Sequence, residues 1–186
     1  MPCLTRRRLA TLFPAAAIGA AAVASPARAA SRAEIDAEVQ AALVRLRSMP
    51  NAAPLFGQAR SVLIFPRIIQ GGFIVGGQYG EGAAMQAGRT TGYYSIAGAS
   101  FGLLAGAQSS GLAMFFMTDD AMRALMDAQG WEIGTGPTVV VLDRGVQANV
   151  TATTLREPVY AITFNQQGLM AALALNGTKI TRITPD

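Results

Sequence analysis

The chain has 186 residues, 51% hydrophobic and 14% charged, with a formal charge of +4 and a pI near 9.8. Arg6, Arg7, Arg8 and Arg28 and no acid fall in the first 29 residues, leaving 11 basic residues against 11 acidic ones, so the basicity belongs to the leader and gives no weight to a nucleic-acid footprint, which requires a clustered basic face on the folded domain. There is no histidine, and the one cysteine, Cys3, lies in that basic leader, so the remainder has no residues for imidazole or thiolate chemistry, thiolate metal binding or a disulfide.

The leader reads as an export signal: Thr5-Arg6-Arg7-Arg8-Leu9, an Ala-rich stretch to Val23, then the small-residue site Ala27-Arg28-Ala29, with cleavage expected after Ala29. The paired arginines resemble a twin-arginine signal, with an ordinary Sec signal as the alternative. Pro14 and an apolar run short of the about 20 residues that cross a bilayer argue against a permanent span. The expected organisation is therefore a signal over residues 1–29 and one domain over 30–186.

Ser31-Arg32-Ala33-Glu34 is a capping-box pattern, followed by Ile35, Val39, Ala42, Leu43 and Leu46 at helical spacing. This predicts an amphipathic helix over 32–48, stopped by Pro50. Its apolar side either packs on the domain's sheet or docks reversibly on a bilayer, with Arg45 and Arg47 near lipid phosphates. Strands are predicted at 61–65 (stopped by Pro66), 72–80, 83–86, 92–108 with a break near Gly98, and 112–117. Thr118-Asp119-Asp120 caps a helix ending at Gly130, and strands return at 131–133 and 138–142. The tail predicts an antiparallel meander of 159–164, 169–175 and 178–183, its last turn at Asn176-Gly177. The fold expected is α+β: a twisted, barrel-like antiparallel sheet with an N-terminal helix and at least one more.

Two runs share a pattern: Gly72-Phe73-Ile74-Val75-Gly76-Gly77-Gln78 and Gly102-Leu103-Leu104-Ala105-Gly106-Ala107-Gln108. Glycines at i and i+4 and a Gln at i+6 share one strand face, which leaves room there for a backbone, a ring or a ligand. Gly98-Ala99-Ser100-Phe101-Gly102 fits the G-x-S-x-G nucleophile elbow, but no histidine exists to take the serine proton, and the one lysine, Lys179, sits in a predicted strand. The glycine run at Gly71 lacks phosphate-loop spacing. Asp119 and Asp120 read as helix N-terminal acids, so no metal and no cofactor is expected. What remains is binding. Arg60, Arg67, Lys179 and Arg182 could hold a phosphate beside an apolar surface if they converge, with Tyr79, Tyr93, Tyr94 and Trp131 as an amphipathic rim.

Phe65-Pro66-Arg67, Gly71-Gly72-Phe73, Tyr79-Gly80-Glu81-Gly82, Tyr93-Tyr94-Ser95-Ile96-Ala97-Gly98-Ala99-Ser100-Phe101-Gly102, Ala105-Gly106-Ala107-Gln108, Phe116-Met117-Thr118, Trp131 and Gly177-Thr178-Lys179-Ile180 occur in an order that closely resembles the bacterial branch of the SYLF lipid-binding domain family. The resemblance spans Ala33 to Ile183. It implies phospholipid binding, with phosphoinositide binding and actin association in eukaryotic members, which use an amphipathic N-terminal segment against membranes. The region corresponding to that segment is the 32–48 helix. Bacterial members are typically secreted or lipid-anchored, and no lipobox is found here. The expectation is a non-catalytic, exported, periplasmic or secreted protein touching a phospholipid membrane peripherally, with Arg67 and Lys179 on headgroup phosphate. An envelope scaffold with a protein partner is the alternative, and a cryptic Ser100 hydrolase a third.

Overall fold

The computed structural model describes residues 30–72, 75–101, 106–127, 130–133, 137–142, 155–167 and 177–186. In chain order these form α1 (Arg32–Arg47), α2 (Ala53–Gln58), β1 (Ser61–Gly72), β2 (Val75–Gln86), β3 (Arg89–Phe101), β4 (Gly106–Phe116), α3 (Asp119–Asp127), β5 (Trp131–Glu132), β6 (Val139–Leu142), β7 (Val159–Gln167) and β8 (Thr178–Ile183). The strands make one curled, half-barrel sheet of eight in the order β5-β8-β3-β2-β1-β4-β7-β6. Every neighbouring pair is antiparallel except β6–β7, which is parallel. The α+β class and the N-terminal helix agree with the sequence reading.

Both faces of the sheet are covered, because strand side chains alternate between them. Val62, Ile64, Ala83, Met85, Ala113, Phe115, Tyr160 and Ile162 pack under α1 and α2. Leu63, Phe65, Ala84, Tyr94, Ile96, Leu112, Met114 and Ile180 pack with α3 and Trp131 on the opposite face. α1 begins at the expected capping box: the Ser31 hydroxyl accepts from the Glu34 N–H, and the Glu34 carboxylate accepts from the Ser31 N–H at 2.7 Å. The whole apolar stripe of α1 (Ile35, Val39, Ala42, Leu43, Leu46) is buried against the sheet.

Several strands differ from their expected extents. Pro66 does not stop β1. The chain inserts one extra residue there: Ile64 pairs with Ala83 but Arg67 with Glu81, and Phe65 pairs with Leu112 but Ile68 with Ser110. A bulge tolerates proline because its missing N–H is not needed in the ladder. The predicted 72–80 and 83–86 strands are one strand, β2, and β3 runs through Gly98 without a break. Ser100 lies within β3, not on a strand-to-helix turn. β2 turns into β3 over Ala87 and Gly88, both at positive φ (49° and 78°), closing Gln86 on Arg89 as a two-residue hairpin.

The tail meander is a correction. β7 pairs with β4 and β6, while β8 pairs with β3 and β5, so five positions in the strand order separate them. Gly177 does hold the left-handed φ of a turn (74°), but residues 169–175 lie outside the described set. Helix α2 was not anticipated, since six residues with one buried side chain, Leu55, leave no period to read.

Candidate functional site

The bulge at Pro66 determines which side chains reach the α1 face. By shifting the alternation one step, it puts Ile68 and Gln70 with Leu63 and Phe65 on the α3 face and turns Arg67 and Ile69 to the α1 face. α1 covers only the half of that face nearest the start of β1. Beyond it, cross-strand partners form rows: Arg67–Glu81–Ser95–Thr181, then Ser109–Ile69–Tyr79–Ala97–Lys179–Glu132, then Ala107–Gly71–Gly77–Ala99. Ile69 (56% exposed) and Tyr79 (52%) stand side by side in the middle row. Gly71, Gly77, Ala97, Ala99 and Lys179 around them are also exposed. The result is an exposed apolar strip with Arg67 at one corner and Lys179 at the opposite one.

A second feature borders the strip. A groove of about 220 Å³ runs between α1 and the bulge, lined by Glu38, Ala41, Ala42, Arg45, Pro66, Arg67 and Asn165. It adjoins a depression of about 260 Å³ that shares Pro66, Arg67 and Asn165 and adds Ser109 and Ser110. Asn165 reaches it because β7 has its own irregularity there, at a φ of 52°. Its Oδ1 accepts from Arg45, and the Arg67 guanidinium holds the Glu38 carboxylate at 2.5 Å. Both partners of the Arg67–Glu38 pair are well exposed, so the pair contributes at most about 1 kcal/mol and Arg67 can exchange Glu38 for another anion.

The six cations chosen from the sequence do not form one cluster. Arg45 and Arg67 share the groove. Arg47 and Arg60 share a separate one with Leu43 and Phe56, and the Arg47 guanidinium lies 5.8 Å from the Phe56 ring centroid. Lys179 is three strands from Arg67, about 14 Å at the usual strand spacing. Arg182 pairs with the buried Tyr94 on the α3 face and lines a depression with Arg32, away from the strip. The expected aromatic rim also divides: Tyr94 and Trp131 are core residues, Tyr93 donates its hydroxyl to Asp36 at 2.9 Å, and Tyr79 alone stands on the open strip.

The two glycine–glutamine runs converge differently from expectation. Gln78 and Gln108 both register against Gln70, so the glutamines form a buried row on the α3 face, Gln108–Gln70–Gln78, continued by Gly98 and Thr178. Gln70 Nε2 donates to Gln78 Oε1 at 2.6 Å, and Gln78 Nε2 reaches Thr178 Oγ1 at 2.7 Å by passing over Gly98, where a Cβ would come within 2.9 Å of it. Gly76, Gly72 and Gly106 form the next row on that face. Phe73, Ile74 and residues 102–105 lie outside the described set. The first run thus supplies Gln78, whose bonds to Gln70 and Thr178 link β1, β2 and β8. Among the described residues, no group of three or more acids or cysteines has the spacing of a metal site.

Sequence reasoning missed Ile69, Glu38, Asn165 and Ser109. Counting alternation from Leu63 and Phe65 would place Ile69 inside, and only the extra residue at Pro66 turns it out. Fold and surface together define an α+β domain that presents a shallow, partly apolar face. Residues 97–184, from the middle of β3 to the end of β8, match the family model Ysc84, described as Las17-binding protein actin regulator. Over those residues the chain is similar to this family, in agreement with the SYLF resemblance read from the sequence. No curated protein matches it.

Proposed function

We propose that the protein is exported and rests peripherally on a phospholipid membrane through the α1 face of its sheet, without catalysing a reaction. The observation that carries this reading is the exposed Ile69–Tyr79 pair among small residues, with Arg67 and Lys179 at opposite corners. An apolar strip enters the headgroup boundary while its flanking cations stay at phosphate level. Around the strip, Arg45, Arg67 and Lys179 are balanced by Glu38, Glu81 and Glu132, so apolar contact dominates and anionic lipid adds a modest preference. Export is supported by the leader and its small-residue site.

The helix acts differently from the reversible docking considered above. Lifting α1 from the sheet would uncover Ile64, Phe115 and their neighbours at about 1.5–3 kcal/mol per large side chain. It therefore stays docked, and offers Arg45, Arg47 and Val44 (72% exposed) from its outer side.

Co-sedimentation with vesicles of zwitterionic lipid, alone and with anionic lipid, tests the reading. Binding to both, with a modest gain from the anionic component, is expected, and absence of binding to either rejects it. Arg67→Glu should weaken binding several-fold; unchanged affinity removes the headgroup role of Arg67. An envelope protein partner paired along a sheet edge is less well supported, because the described edge strands, β5 and β6, are two and four residues long.

A further inference from the structure

The first described residue of the domain is held by a carboxylate. Ala30 packs against the α1-face core, and its backbone N–H donates to Glu81 Oε2 at 3.1 Å, 51 positions along the chain. The residues that follow are fastened as well. Ser31 caps α1, the Arg32 N–H donates to the Asp186 carbonyl at 3.1 Å, and Arg32 Nε donates to the Pro185 carbonyl at 2.8 Å. The other oxygen of Glu81 accepts the Tyr79 hydroxyl at 2.6 Å. Glu81 sits across from Arg67, but that guanidinium is turned to Glu38, which leaves Oε2 to residue 30.

The expected cleavage point falls at the same atom. Hydrolysis of the Ala29–Ala30 bond consumes one water, leaves a carboxylate on Ala29 and frees the nitrogen of Ala30 as an ammonium. We infer that Glu81 is the receptor of the processed amino terminus. Before the cut it accepts one proton from a neutral amide. Afterwards it faces a unit positive charge with three donors, in a half-buried setting where charge-assisted bonds are stronger. The fastening depends on the position of the cut, since one extra residue moves the charge by up to about 3.5 Å. Processing thus locks the start of α1 onto β2, beside the strip that Tyr79 shares. The cut itself rests on the export reading proposed above, whereas the role of Glu81 is testable apart from it.

In the full chain, residues 26–29 are replaced by Ile-Glu-Gly-Arg, so that a protease specific for that site cuts the folded protein immediately before Ala30. Urea unfolding of cut and uncut chain is then compared. The cut chain should be roughly tenfold more favourably folded, and acetylation of the new amine should abolish the gain. Glu81→Gln should show no gain on cutting; if that variant does not fold, the acetylated chain serves as the control. Equal stability of cut and uncut chain, or a gain that survives acetylation, overturns the role of Glu81. Amino-terminal sequencing of the exported protein should begin at Ala30, and any other start overturns the processing half alone. Neither measurement involves lipid, so both stand or fall separately from membrane binding.

Discussion

Tyr79 shows how a single side chain can be exposed and still be fixed. Its ring is 52% exposed, yet its phenol is pushed up to about 12, by desolvation first and then by the hydrogen bond to Glu81 and the charge of that carboxylate. Folded and unfolded chains both carry the neutral phenol below the ordinary value of 10.0, so its contribution to stability is complete there. As pH rises from about 10 to about 12 only the unfolded chain ionises, and that contribution is lost. A difference titration of phenolate absorbance between the natural chain and Tyr79→Phe should therefore show one group ionising near 12. In Glu81→Gln that group should move back toward 10.0; a Tyr79 that titrates normally in the natural chain would mean that it does not hold Glu81 in solution. The pair is legible in the sequence, because residues 79 and 81 share a strand face. The link from Glu81 to Ala30 is not, since it crosses 51 positions without a local signal.

At the scale of elements, the bulge in β1 organises the site, and its neighbours are chosen for it. The displaced backbone leans onto β2, where a Cβ on Gly80 would come within 2.7 Å of the Arg67 carbonyl oxygen and one on Gly82 within 2.0 Å of that of Ile64. Backbone cannot yield as a flexible side-chain tip does, so Gly82→Ala should destabilise the domain by about 3 kcal/mol, near the upper end of ordinary overpacking. Chemical denaturation measures this; a loss under about 1 kcal/mol would show that the two strands can separate without penalty. The limits of the sequence reading lie in the same elements. Alternation revealed most strands, and the spacing of Ile35, Val39, Leu43 and Leu46 revealed α1, because both are local periods. Pro66 read as a terminator since a sequence does not distinguish a bulge from an end. Asn176-Gly177 signalled a turn, and Gly177 has turn geometry. A turn signal, however, names no partner, and β8 takes β3, some 80 positions earlier, instead of β7.

At the scale of the whole molecule, the spacing of the cations separates two kinds of lipid binding. A pocket for one lipid gathers its cations around one phosphate. Here Arg67 and Lys179 stand three strands apart, about 14 Å, and strand side chains project roughly perpendicular to the sheet. In the orientation proposed above they would address different headgroups, with Ile69 and Tyr79 between them over the acyl boundary. Soluble glycerophosphate, which offers a phosphate without a surface, should therefore fail to displace the protein from vesicles even at millimolar concentration. Ile69→Ser combined with Tyr79→Ser should lower partitioning at least tenfold, since each large side chain contributes roughly 2 kcal/mol when buried. Arg67→Gln and Lys179→Gln should each lower it about fivefold, at about 1 kcal/mol per cation near an anionic surface. If, as proposed, the two cations meet different phosphates, their losses should add; a strongly non-additive double variant, or displacement by glycerophosphate, would point instead to one shared phosphate.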